Sequence, residues 1–145
     1  MIINHISENL SDPTHFSHSH ASEVSGNIII TSGMVSRVDA NTGLNIGVVE
    51  KDGKLEHDID NQFDDIIKQL ELLSKSIYSN NCDIREKIVE TKVFIVDVKK
   101  YFKHFNASYK KWMQGKSQFP ARTTIGVQDL PSNVVLEISF VLSAQ

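Results

Sequence analysis

The chain has 145 residues, 40% hydrophobic and 23% charged, and its 15 Lys and Arg against 18 Asp and Glu leave a net charge of -3. A chain of this length buries roughly two-thirds of its unfolded surface, so a single domain over 1–145 has a sufficient core without covalent staples. An acidic balance with no basic block argues against nucleic acid as a partner. No run approaches the ~18 apolar residues of a membrane span, and the start, Met1-Ile2-Ile3-Asn4-His5, lacks the basic region and apolar core of a signal peptide. The lone Cys82, set between Asn81 and Asp83, rules out an internal disulfide and fits a reducing compartment. These features lead us to expect a soluble cytoplasmic protein without a membrane partner.

In chain order, Asn27-Ile28-Ile29-Ile30-Thr31-Ser32, bracketed by Gly26 and Gly33, has the composition of a buried strand with turns at both ends. From Met34 to Lys54 the chain is polar and Gly-containing. Asn41-Thr42-Gly43 and Lys51-Asp52-Gly53-Lys54 are turn signals around Leu44–Val49, so this stretch reads as a hairpin or lid. Ile59, Phe63, Ile66, Ile67, Leu70, Leu73 and Ile77 recur at three- and four-residue steps, which predicts an amphipathic helix. Ile88–Val96 alternates and then becomes continuously apolar, as a central strand does. Tyr101, Phe105, Tyr109 and Trp112 keep helical spacing and predict a second helix, closed by Gly115, whose aromatic stripe is core.

The last third supplies two more strands, Arg122–Val127 and Val134–Leu142, joined by a turn-rich stretch with Pro131 and Asn133, and an antiparallel pairing of the two is expected. The order describes an α+β domain with both helices on one face of a mixed sheet. The other face would stay bare, so a homo-oligomer is expected to cover it. Two charges stand out in the same region. Arg122 lies in the apolar run Phe119–Val127, and Glu137 in the apolar run Val134–Leu142. A charge withdrawn from water is costly unless it is paired, hydrogen-bonded or awaiting a ligand, so these two are either a structural ion pair or a site.

Five segments, Gly26-Asn27-Ile28-Ile29-Ile30-Thr31-Ser32-Gly33, Thr91–Asp97, Phe105-Asn106-Ala107-Ser108-Tyr109, Phe119-Pro120-Ala121-Arg122-Thr123-Thr124 and Leu130-Pro131 with Leu136-Glu137-Ile138, resemble in order and nearly in spacing the RidA/YjgF family of reactive intermediate deaminases. The resemblance runs from about residue 16 to the end. It implies a chorismate-mutase-like subunit, a homotrimer with sites in the clefts between subunits, and no metal or organic cofactor. It also implies hydrolysis of 2-imino acids, or their enamine tautomers, to 2-oxo acids and ammonia. Arg122 then corresponds to the arginine that holds the substrate carboxylate, and Glu137 to the acid associated with the attacking water. Gly33 and Thr124 correspond to substrate-lining positions and Asn106 to one near the site. Apart from the resemblance, His18 or His20 either lines the cleft or belongs to a plain solvated loop. The chain departs from the family pattern where Phe16-Ser17-His18-Ser19-His20-Ala21 carries no tyrosine, where Thr124 stands in place of a frequent cysteine, and in a longer Leu44–Lys54 loop.

The chemistry is sound apart from the resemblance. A planar guanidinium grips a carboxylate through two parallel hydrogen bonds that lysine cannot copy. A carboxyl in an apolar strand is suited to take and return a proton near neutral pH. Pattern alone favours a mutual Arg122–Glu137 ion pair within a last hairpin, and the motif context turns that reading toward a site. His15, His18 and His20 match no standard metal-ligand spacing. Three functions follow: imine or enamine hydrolysis, a non-catalytic trimeric sensor of small carboxylates, and an RNA-cleaving activity, for which the acidic balance supplies no phosphate-binding stripe.

Overall fold

The computed structural model describes residues 1–145. An N-terminal ribbon pairs β1 (Ile2–His5) with β2 (Ala21–Val24). The short strand β3 (Ile28–Ile30) follows, and then a hairpin of β4 (Val48–Lys51) and β5 (Lys54–His57), turned at Asp52-Gly53. Both turn residues have positive φ, 52° and 76°, which is the backbone that a two-residue hairpin requires and that Asp-Gly supplies. The remaining order is α1 (Ile59–Ile77), β6 (Ile88–Val96), α2 (Val98–Trp112), β7 (Ala121–Val127) and β8 (Leu136–Ser143). Helix α1 begins where the Asp58 carboxylate accepts the Asn61 N–H, and it covers the predicted range.

The main sheet runs β3-β8-β6-β7. This corrects the expected hairpin of the last two strands: β7 pairs parallel with β6, β8 pairs antiparallel with β6 on its other side, and β7 and β8 are not neighbours. The reason is the crossover. Helix α2 returns the chain to the start of β6, which forces a parallel β7, and the 128–135 connection then passes the end of β6, where the Val96 N–H donates to the Val135 carbonyl. The turn signals marked that connection without specifying which strands it joins.

Both helices lie on one face. Ile66, Leu70, Phe105, Tyr109, Val93, Ile95, Leu136, Ile138 and Phe140 form the sealed centre between helices and sheet, with Phe63, Tyr109 and Trp112 packed edge to ring. The second correction concerns β3, expected inside. It is one of the two edge strands, pairs only with β8, and leaves Ile28 at 47% and Ile30 at 71% exposure. An isoleucine run signals a water-avoiding surface, and it reads the same whether that surface meets the chain's own core or lies open on it. Ile125 of β7, 41% exposed, belongs to the same helix-free side.

Two arginines are spent on structure. Arg37 reaches Asp65, which is 3% exposed, through its side chain at 2.8 Å and its own backbone N–H at 2.7 Å, locking the 34–47 segment onto α1. Burial alone would raise the Asp65 carboxyl, but the Arg37 hydrogen bonds and charge and the Gln69 amide together hold it below the usual range. Arg85 forks onto Asp83 and caps the Trp112 and Gln114 carbonyls at the end of α2. No helix is long and apolar enough to cross a membrane.

Candidate functional site

Arg122 is the third arginine of the chain, and the one no carboxylate closes. Its partner in the β6–β7 ladder, Thr91, faces the helices, so Arg122 does too. Its guanidinium carbon lies 4.8 Å from the ring centre of Tyr109 and 5.4 Å from that of Phe105, a cation–π seat on α2. Nη1 donates to the Phe16 carbonyl at 3.1 Å and Nη2 to the Asn106 Oδ1 at 2.7 Å. Two of the five N–H donors of a guanidinium are thereby occupied by neutral acceptors, and the rest remain available. Burial pushes the Arg122 guanidinium below its ordinary value, though an arginine stays protonated throughout the physiological range.

The N-terminal segment reaches this arginine because it is stitched across the edge of β7. The Ser19 N–H donates to the Pro120 carbonyl, and the Ala121 N–H donates to Ser22 Oγ. Phe16 packs against Phe102 of α2 and against the rings of His15 and His18. The three histidines of this segment go different ways. His18 uses Nδ1 on the Ser19 carbonyl, His20 accepts the Ser7 N–H and reaches the Ser11 carbonyl, and His15 packs on Phe16. No three His, Cys, Asp or Glu side chains converge anywhere in the chain.

Glu137 occupies the other face. Its ladder partner on β6 is Phe94, three residues from Thr91 and hence on the opposite side of the sheet. Met34 and Ile138 exchange both backbone hydrogen bonds, at 2.7 and 3.0 Å, and this holds Gly33 over the Glu137 side chain. A Cβ placed on Gly33 would come 2.7 Å from the Glu137 carboxylate, so only glycine lets the acid lie there. Glu137 is half-buried and takes part in none of the chain's ion pairs.

The predicted residues therefore fall into two groups within one chain. Arg122, Thr124, Asn106 and the His18 segment gather at the β7 edge beside α2, while Gly33 and Glu137 gather on the helix-free face. A mutual Arg122–Glu137 ion pair is excluded by the strand order. Sequence reasoning missed two parts of the arginine's surroundings. The Phe16 carbonyl is backbone and carries no side-chain signature, and the Phe105–Tyr109 pair, legible as core, also forms the arginine's seat.

Tyr109 beneath the arginine yields a stability test. Burial pushes its hydroxyl up to about 12 from 10.0, partly offset by a hydrogen bond with Thr91 and the nearby Arg122 charge. Between those values the unfolded chain releases the proton and the folded chain keeps it, so stability is whole below pH 10 and falls as pH rises. The expected loss is about 2.3 kcal/mol by pH 12, where the folded group is itself half titrated, at 1.36 kcal/mol per unit. Urea unfolding of the protein and of Tyr109→Phe at pH 9 and 12 checks this: the variant should lose that much less, and equal losses would refute it.

A four-stranded mixed sheet with two helices on one face, an open opposite face and an arginine seated on aromatic rings at the sheet edge defines the structural class. The family model described as Endoribonuclease L-PSP matches residues 9–143. A RutC family protein of Aquifex aeolicus is 34% identical over 96 residues, 66% of this chain and 73% of that protein. Among solved structures, the Rid-family protein YyfB of Yersinia pestis, of unknown function, superposes with a TM-score of 0.75 at 21% identity over 97% of each chain. The YjgF gene product of E. coli gives a TM-score of 0.60 at 26% identity over 83% of each chain. The chain belongs to the Endoribonuclease L-PSP family, that of the RidA/YjgF proteins.

Proposed function

We propose that this protein is a cofactor-independent deaminase that hydrolyses 2-imino acids, or their enamine tautomers, to 2-oxo acids and ammonia. The observation that carries the reading is the Arg122 guanidinium: desolvated, seated on two aromatic rings, bound only by neutral acceptors and left with free N–H donors. A small carboxylate supplies the missing counter-charge and accepts two of those donors in parallel. That grip fixes the adjoining C=N carbon for attack.

Glu137 takes a proton from water as the oxygen adds to the protonated imine carbon, giving a tetrahedral amino alcohol. It returns the proton to nitrogen, ammonia leaves, and the freed carboxylate takes the hydroxyl proton as the C=O bond forms. Because Arg122 and Glu137 lie on opposite faces of one sheet, a complete site needs a second copy to bring one chain's acid to another's arginine. A homotrimer closed through the helix-free face, where Ile30 and Ile125 lie open, meets that need.

The test adds the purified protein to an amino-acid oxidase or serine dehydratase reaction and follows ammonia release. Release should quicken. Unchanged imine lifetimes across several amino acids would defeat the deaminase reading, and calorimetry with 2-oxobutanoate then separates a carboxylate sensor, which binds, from a protein without this site. The family's description includes RNA cleavage, but a net charge of -3 gives this chain no cationic track for a phosphate backbone, and structured RNA should survive incubation with it.

A further inference from the structure

Gln62, in the first turn of α1, is sealed from water, and its amide meets three partners. Oε1 accepts the Val135 N–H at 3.0 Å, while Nε2 stands 3.2 Å from the Gly47 carbonyl oxygen and 3.2 Å from Nδ1 of His57. The two backbone groups settle which way the amide points. Turned over, it would set oxygen against the Gly47 carbonyl and an N–H against the Val135 N–H. Both hydrogens of Nε2 are therefore assigned, one to Gly47 and the other to His57. An N–H directed at Nδ1 needs a lone pair there, so His57 is neutral and carries its proton on Nε2. A second proton on the ring would turn two donors against each other beside a buried amide.

Gly47 leads into β4, and His57 closes β5 opposite Val48. The Gly47 carbonyl also accepts the Asp58 N–H at 2.8 Å, and a Cβ on Gly47 would come 2.6 Å from Gln62 Cγ. One buried amide thus fastens both feet of the hairpin to α1 and to the chain entering β8. A two-stranded hairpin is marginal by itself, so it depends on such an anchor. Lys100, Tyr101 and His104 of α2 line a cavity with His57, Asp58 and Asp60, and Asp39 and Glu56 border His57 from the hairpin side. Burial first, and then the Lys100 charge, hold the His57 ring below its ordinary 6.5. A ring released into water regains that value, so the docked hairpin is fully held above pH 6.5 and loosens as pH falls below it.

We infer that His57 and Gln62 form a proton-operated clasp, which holds the β4–β5 hairpin on α1 while His57 is neutral and lets it go when the ring takes a second proton.

The experiment is NMR on the full chain at pH 7.5 and 5. Long-range proton–nitrogen spectra should show Nδ1 of His57 bare at pH 7.5 and a titration midpoint below 6.5. Exchange protection of the Val48–Lys51 and Lys54–His57 amides, corrected for the intrinsic effect of pH, should fall several-fold at pH 5. Its limit is about thirtyfold, the whole proton-binding advantage of an ordinary imidazole at that pH. The central amides of β6 should hold. His57→Asn keeps an acceptor near the place of Nδ1 without titrating there, so its hairpin should be equally protected at both pH values. His57→Phe lacks the acceptor, and its hairpin should be poorly protected at both. A neutral ring with its proton on Nδ1, or natural protein whose hairpin protection ignores pH, overturns the inference. The same acid loss in His57→Asn does so too and would transfer the effect to His104, while natural protection in His57→Phe at pH 7.5 would show that the ring fastens nothing.

Discussion

Arg122→Lys is expected to lower kcat/KM for imine hydrolysis by about a hundredfold and to weaken 2-oxo acid binding by a similar factor. The magnitude follows from the geometry lost: a charge-assisted hydrogen bond is worth about 1.5–3 kcal/mol, and lysine cannot span both oxygens of a carboxylate or offer a planar cation to the rings of Phe105 and Tyr109. Arg122→Ala should be worse still, leaving Asn106 Oδ1 and the Phe16 carbonyl without their donor. Steady-state kinetics beside a thermal melt decide the matter. Near-natural kcat/KM in a folded lysine variant would show that the guanidinium serves packing alone.

Glu137→Gln should separate binding from chemistry. Glutamine preserves the shape that fits beneath Gly33 but cannot accept a proton from water, so kcat should fall by between about a hundredfold and ten-thousandfold, the range for a lost general base. The affinity for 2-oxobutanoate, measured by calorimetry, should change little. Loss of binding with kcat retained would reverse the assigned roles, and retention of both would remove Glu137 from the mechanism. Mixing Arg122→Ala chains with Glu137→Gln chains adds a further reading of the same prediction. If the two residues meet across chains, mixed assemblies regain some sites with both natural residues, and activity returns that neither variant has alone.

How much was legible depended on whether a feature resides in side-chain pattern or in long-range pairing. Helix α1 spans the predicted Ile59–Ile77 because its apolar stripe and the Asp58 cap are local, and β6 matches because a nine-residue stretch that alternates and then ends in four apolar residues, between polar breaks, leaves little freedom. The expected β7–β8 hairpin does not form because the turn chemistry of Pro131 and Asn133 describes a reversal without naming the strand beside which the chain comes to rest. Arg122 and Glu137 could be singled out since a lone charge in an apolar run is anomalous by itself. That they face opposite sides of the sheet could not be known before the register was known, because a shift of one residue would invert either side chain. The Phe16 carbonyl lies beyond any pattern of residue types.

The β3–β8 pairing links the two ends of the fold: the Phe140 N–H reaches Thr31 Oγ1 across 109 positions of chain. During synthesis the triple isoleucine of β3 must wait until β8, whose Phe140 lies 109 positions beyond Thr31, has been translated before its ladder can close. Folding of this sheet is thus completed only after β8 has left the ribosome. Until then the nascent chain carries a sticky, unpaired stretch for which chaperones are the natural guard.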